Sequence, residues 1–317
     1  VIETPDRIAV EIRAPADDGS DRVSDFEGSS QDGEGAQTPM GYAVRIQPGK
    51  KVRLSDIDPN ANGGLDRKEG EELYLSLARE LGDLQELLYS AGTHSLLVIL
   101  QGIDTSGKDG TIRSVFRDTS PLGTQVSSFK VPTTIERNHD FLWRVHRETP
   151  EKGMVGIFNR SHYEDVLVAR VHELVPKSVW SSRFEHINNF ERFLADSDTL
   201  IAKFYLHISK EEQEERLLAR EREVEKAWKL SAADWVERRS WEKYMAAYEE
   251  AIQRCNTSYA PWTIVPANRK WFRNVVVAQA LVDLLKPFKE KWLEALTERG
   301  RAELEAIRAA RGERARR

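Results

Sequence analysis

The pattern Gly102-x-x-x-x-Gly107-Lys108 follows an apolar run, Leu96 to Leu100, and leads into a stretch with helical patterning. Residues of these types at this spacing can hold phosphate. The two glycines let the backbone turn tightly, successive N–H groups converge on phosphate oxygens, and the helix N-terminus beyond favours an anion. Lys108 adds a mobile positive charge. In the familiar form of this motif a Ser or Thr follows the lysine and its hydroxyl helps to hold magnesium, whereas here the next residue is Asp109. A further acid, Asp104, lies inside the loop. A carboxylate beside phosphate makes sense mainly with a divalent cation between them, and magnesium prefers carboxylate, water and phosphate oxygens. Gly102, Thr105, Ser106, Gly107, Lys108, Asp109 and Gly110 are therefore the candidate phosphate ligands, with Asp104 as a candidate metal ligand. The competing reading is a glycine turn that merely joins a strand to a helix.

A second constellation runs from Gly156 to Asp165, where an apolar strand pattern opens into Asn159-Arg-Ser-His-Tyr-Glu-Asp165. Nucleotide-binding α/β proteins often place a metal-holding Asp at such a strand end. This chain has Asn159 there, so Asp104, with Glu164 or Asp165, must supply the negative charge. Arg160 can grip two phosphate oxygens at once, while Lys108 acts as a point charge. The alternative is a surface ion pair, Arg160 with Asp165, at a helix start. Ser209-Lys-Glu-Glu212 fits a helix-capping box, and helical spacing aligns Glu212, Arg216 and Arg220 on one face. Such a helix can close arginines over phosphates and exclude water, or it can be a solvated helix stitched by i,i+4 pairs. Lys130 and Arg113 could extend a local basic path. For His139, His146 and His162, packing or hydrogen bonding is favoured over metal ligation.

These residues need elements to position them. Apolar runs at Leu96–Leu100, Met154–Phe158, Leu200–Ile208 and Trp262–Val265 alternate with amphipathic stretches, which predicts an α/β fold with a mainly parallel sheet and helices on both faces, a three-layer sandwich. Ligands then collect at the carboxyl ends of the strands, where the loop, Asn159 to Asp165 and Ser209 all fall. Leu73, Leu77, Leu81, Leu84 and Leu88 predict a helix from Glu71 to Tyr89, and a last helix is predicted over Pro287 to Arg311 with a basic tail beyond it. The first 40 residues are rich in Asp, Glu, Gly and Ser and predict disorder.

Of 317 residues 40% are apolar, enough for a full core, and the net charge of −5 argues against a generally basic nucleic-acid binder. No stretch approaches the roughly 18 apolar residues of a membrane span, and the start lacks the layout of a secretory signal. The expectation is a cytoplasmic protein with no nucleic-acid or membrane partner. Cys255 is the single cysteine and reads as a semi-buried helix residue, so neither a disulfide nor a zinc site is supported.

From about Gly64 to Phe288 the chain resembles the polyphosphate kinase 2 family. The strings that carry this are Leu100-Gln-Gly-Ile-Asp-Thr-Ser-Gly-Lys-Asp-Gly-Thr-Ile112, Ser128-Phe-Lys130, Asp140-Phe-Leu-Trp-Arg144, Phe158-Asn-Arg-Ser-His-Tyr-Glu-Asp-Val166, Ile187-Asn-Asn-Phe-Glu191, His207-Ile-Ser-Lys-Glu-Glu-Gln213, Ala246-Ala-Tyr-Glu-Glu250 and Val265-Pro-Ala-Asn-Arg-Lys-Trp271. The resemblance implies a P-loop kinase-like catalytic domain over residues 41–290 with a helical lid at about 209–240, and a C-terminal helix with a basic tail over 291–317. It implies transfer of the terminal phosphoryl group of inorganic polyphosphate to AMP and ADP, with GMP and GDP as further acceptors. The implied roles are Asp104, Lys108, Arg160 and Asp165 in catalysis, Asp104, Glu164 and Asp165 at the metal, and Glu164, Arg216 and Arg220 at the nucleotide. Magnesium, with manganese as substitute, is the implied ion, and a homodimer or homotetramer the implied assembly. One departure falls in the lid, where Glu221-Arg-Glu-Val-Glu-Lys-Ala-Trp-Lys229 replaces an Asp-Pro turn and suggests one longer helix. The competing functions are an ATP-dependent nucleoside monophosphate kinase and a polyphosphate-binding module without catalysis.

Overall fold

The computed structural model describes residues 42, 44–46, 49–222 and 232–311, all within one compact unit, Met40–Arg317. The tail expected over residues 1–40 and the basic end of the chain lie outside the described residues.

Among the described residues six strands form one sheet: β1 (Val44–Arg45), β2 (Ser95–Gln101), β3 (Thr124–Ser128), β4 (Val155–Asn159), β5 (Thr199–His207) and β6 (Trp262–Pro266), in the order β1-β6-β5-β2-β4-β3. Five strands are parallel, and β1 adds a two-residue antiparallel edge on β6. All seven residues of β2 are buried, as a central parallel strand with helices on both faces requires. The sequence runs locate β2, β4, β5 and β6 to within a residue at each end. β3 and β1 carry no comparable run: β3 reads Thr-Gln-Val-Ser-Ser, with Ser127 as its one buried residue.

The helix predicted from leucine spacing is α1 (Arg67–Ala91), about three turns of whose apolar face enter the core through Leu77, Leu81, Leu84 and Leu88. It starts at a reciprocal cap, in which Glu69 N donates to Asp66 Oδ1 and Asp66 N to Glu69 Oε2, and it stops at Gly92 in the left-handed region. With α2 (Lys108–Val115) and α10 (Lys270–Leu285) it forms one layer. Past the short helices α3 (Thr134–Arg137) and α4 (Trp143–His146), the opposite layer is α5 (Glu164–Val171), α6 (Lys177–Asp196) and α9 (Trp241–Arg254). The last helix, α11 (Lys289–Ala310), anchors through buried Trp292 and is exposed from Thr297 onward. Among the described residues no helix is long and apolar enough to cross a membrane.

Over the sheet's carboxyl rim stand α7 (Lys210–Arg222) and α8 (Ala232–Arg238). Ser209 caps α7, its Oγ accepting from Glu212 N at 3.2 Å. Trp235 bonds Glu221 and Arg238 reaches the Lys210 carbonyl, so the two helices run antiparallel. Most of the stretch expected to continue the lid helix, residues 223–229, lies outside the described residues.

Candidate active site

β2 ends at Gln101 and the chain turns through Gly102 (φ 152°) and Gly107 (φ 102°) into α2. A methyl group on Gly102 would meet Ser106 Oγ at 2.6 Å and the Leu206 carbonyl at 2.9 Å, so close approach as well as torsion demands glycine here. Two non-glycine residues, Thr105 (φ 66°) and Arg160 (φ 63°), hold left-handed conformations that cost about 1–3 kcal/mol each. Both belong to the same rim. Thr105 Oγ1 and Ser106 Oγ are buried without a hydrogen-bond partner among the described residues. Both hydroxyls are thus available to a polar ligand at this rim.

Lys108 is buried and folds back on the loop, its Nζ donating to the Gly102 carbonyl at 2.7 Å and the Ile103 carbonyl at 3.4 Å. Burial pulls its ammonium below the ordinary lysine range, against the opposing pull of Asp104. Arg160 arrives from β4, which is in parallel register with β2 so that Asn159 lies opposite Leu100. Its Nη2 donates to Asp104 Oδ1 at 2.7 Å and its Nη1 stands 3.7 Å from Glu164 Oε2. Asp104, Lys108, Arg160 and Glu164 are thus brought to one place from two segments 56 residues apart. Burial raises the Glu164 carboxyl above its usual range, while Arg160 and Lys108 oppose the rise. Carboxylates and hydroxyls suit a hard divalent cation. Among the described residues no three His, Cys, Asp or Glu converge as a ready-made metal cluster.

The other sequence-predicted residues take different positions. Asp165 lies on the far side of α5 from this group, with Arg183 Nη1 at 3.2 Å and Arg144 Nη2 at 3.8 Å. It braces α5 against α6 and α4. Arg113 lines a cavity of about 770 Å3 with Gly110, Arg67, Lys270, Trp271 and Arg273, on the α1–α10 side of the loop. Lys130 is exposed beyond β3, and its carbonyl accepts from Arg144 Nη1. Arg220 is paired with Asp234 of α8 at 2.9 Å.

Arg216 is occupied at every donor. Its Nε binds Glu212, Nη1 binds the carbonyls of Thr105 and Ser106, and Nη2 those of Ala267 and Asn268, all within 3.0 Å. The residue staples α7 and the end of β6 to the outside of the phosphate loop. Arg216→Ala therefore strips four carbonyls of a charged donor, with an expected loss of about 2–3 kcal/mol and a raised KM for the phosphate donor. Arg216→Lys recovers little, since an ammonium cannot span the four oxygens. Thermal melts and steady-state kinetics check this, and a Tm within about 1 °C of the parent would refute the staple.

Three groups at the site escaped the sequence reading. Arg273 is 3% exposed, donates to the Gly107 carbonyl at 3.3 Å, and is pushed down to about 10 by burial and by the neighbouring Arg216. It lies two residues beyond the Val265–Trp271 string, which was its available signal. Asp234 is raised by burial and by the nearby charge of Asp104. Tyr248, buried on α9, is raised well above the usual range by burial and then by Glu164.

A parallel sheet, a glycine loop opening a helix at its carboxyl rim, and a basic group on the next strand together define a P-loop phosphotransferase with a kinase-like α/β fold. Comparison with known proteins narrows the class. Residues 64–292 match the model of the family described as Polyphosphate kinase 2 (PPK2). The chain is 50% identical over 244 residues to the AMP/ADP-polyphosphate phosphotransferase of Meiothermus ruber, covering 76% of this chain and 91% of that one. It is 42% identical over 263 residues to the ADP-polyphosphate phosphotransferase of Rhodopseudomonas palustris, covering 79% and 91%. The crystal structure of polyphosphate kinase 2 from Arthrobacter aurescens TC1 superposes with a TM-score of 0.75 at 40% identity, covering 78% of this chain and 88% of that one. This chain belongs to the polyphosphate kinase 2 family.

Proposed function

We propose that the protein is a polyphosphate:AMP/ADP phosphotransferase, moving the terminal phosphoryl group of inorganic polyphosphate to AMP and to ADP. The observation that carries this reading is the convergence of Lys108, Arg160, Asp104 and Glu164 on a glycine loop with two unsatisfied hydroxyls. Use of both acceptors is supported by the 50% identity to a relative named for both. In the reaction a new bond forms from an acceptor phosphate oxygen to the terminal phosphorus as the bridging P–O bond breaks, and the polymer leaves one phosphate shorter.

Lys108 and the loop N–H groups neutralise the donor's terminal oxygens, and Arg160, released from Asp104 by the incoming phosphate, binds two oxygens in a fork. The acceptor phosphate is already ionised near neutral pH, so no general base is needed. Asp104 and Glu164 would hold a divalent ion, for which we propose magnesium, with manganese as substitute; when bound it would neutralise charge on the transferring phosphoryl group. Asp165 braces the helix that carries Glu164. The enzyme is cytoplasmic in this reading and a homodimer or homotetramer, an assembly that light scattering measures.

Incubation with AMP or ADP, long-chain polyphosphate and magnesium, with ATP withheld, is expected to form ADP and ATP; GMP and GDP run in parallel report base selectivity. An ATP-dependent nucleoside monophosphate kinase gives no product from AMP under these conditions, and from ADP only the ATP and AMP of disproportionation, which forms equally without polyphosphate. Tight polyphosphate binding without turnover would instead mark a binding module.

A further inference from the structure

In the common form of this loop, the Ser or Thr after the lysine and an Asp at the end of a neighbouring strand hold the divalent ion together. Both positions are filled in this chain, with the two chemistries interchanged. Asp109 follows Lys108 as the second residue of α2, and Asn159 ends β4. They are in contact, Asn159 Nδ2 donating to Asp109 Oδ1 at 2.9 Å across 50 residues of sequence.

The strand end is firmly placed. Asn159 lies opposite Leu100 of β2 on one side and Ser128 of β3 on the other, and its carbonyl accepts from Phe129 N at 3.1 Å. A fixed amide donating to one carboxylate oxygen restricts the rotation of that carboxylate. The Asn159 contact holds that carboxylate at the end of β4, on the same rim as the glycine loop.

We propose that the site acid has changed places: Asp109 is a further carboxylate, in addition to Asp104 and Glu164, directed at the divalent ion, and Asn159 is a positioning residue that aims it. This rests on the phosphotransferase reading given above. It accounts for the two departures from the common loop as a single exchange, in which one carboxylate and one neutral hydrogen-bonding group are retained. A merely structural role, an acid favouring the start of α2 with an amide beside it, would affect helix stability and leave ion affinity untouched.

The test is titration with manganese(II), read by the loss of the free-ion electron paramagnetic resonance signal, alone and with inorganic tripolyphosphate. Three proteins are compared: the parent, Asp109→Ser, and Asp109→Ser combined with Asn159→Asp, which restores the common arrangement. Asp109→Ser is expected to weaken manganese binding by about tenfold or more, and the double variant to return within about threefold of the parent. The exchange is overturned if Asp109→Ser binds manganese as the parent does, or if the double variant binds no more tightly than the single one. Melting curves on the same samples establish that each is folded, and Asp109→Asn, which keeps the side-chain shape, replaces Asp109→Ser if the latter is not. Polyphosphate turnover by the parent is measured separately. Its absence would refute the phosphotransferase reading while the titration still decides the exchange.

Discussion

Asp104→Asn is expected to lower polyphosphate-dependent ATP formation by about a thousandfold while the melting temperature stays close to that of the parent. The amide keeps the size of the side chain and an oxygen for Arg160 Nη2, now 2.7 Å from the carboxylate. What it removes is charge. Arg160 is partly exposed, at 39% of its side chain, so water can solvate the guanidinium when its acid is gone and the fold loses little. The reaction cannot compensate in that way, because transfer between two polyanions depends on neutralising charge at fixed positions rather than on covalent assistance. Lys108→Ala is expected to have an effect of similar size for the complementary reason: it deletes the ammonium that donates to the Gly102 and Ile103 carbonyls. Initial rates with saturating polyphosphate and circular-dichroism melts decide both cases. Turnover within about threefold of the parent in either variant would remove that residue from the phosphate chemistry.

The glycine loop was legible in the sequence because its physics is local: torsions, N–H directions and a helix start all lie within a dozen residues. The pairing of Asp104 with Arg160 was half legible, since parallel strands ending at one rim bring the segments near each other, while register decides which side chains meet. Glu164 and Asp165 show the limit. They are neighbours in sequence, and one turns toward the loop while the other turns toward Arg144 and Arg183, because successive residues on a helix point about 100° apart. Periodicity in α5 could not say which face the loop would take. Spacing likewise put Arg216 on one face of α7 with Glu212 and Arg220 but could not reveal that four backbone carbonyls claim its guanidinium. Arg273 and Asp234 reach the site through tertiary packing alone. The strand β3 was invisible for a different reason, as an edge strand with one buried residue has no apolar pattern to display.

Beneath the site lies a charge that the sequence presents as an ordinary lysine within an apolar strand. Lys203, in β5, is fully buried, and its three ammonium donors go to Glu191 Oε2 at 2.6 Å, the Cys255 carbonyl at 2.7 Å and Tyr163 Oη at 2.9 Å. Glu191 in turn accepts from Tyr163 Oη at 2.8 Å and lies 3.2 Å from His162 Nε2. The network ties β5 and α6 to the turn that enters α5, one residue before Glu164. Removing one partner of such a pair leaves an uncompensated buried charge, so Lys203→Met should cost about 3–5 kcal/mol. For a domain of this size that is a fall in Tm of roughly 5–10 °C. Lys203→Met with Glu191→Leu removes both charges and should recover most of the loss. The pH dependence gives an independent check. Burial alone would raise the Glu191 carboxyl, but Lys203 and His162 bring it below its usual range. A depressed carboxylate contributes stability that is complete above about pH 4.3 and is lost as pH falls through its lower folded value. In Lys203→Met the counter-charge is gone, burial dominates, and the carboxyl titrates higher. Protonation then relieves the variant while the parent is still unaffected, so the Tm difference should narrow between about pH 8 and about pH 5. A gap that stays constant over that range, or a double variant no more stable than the single one, would show that Lys203 is held there by packing and not by the ion pair.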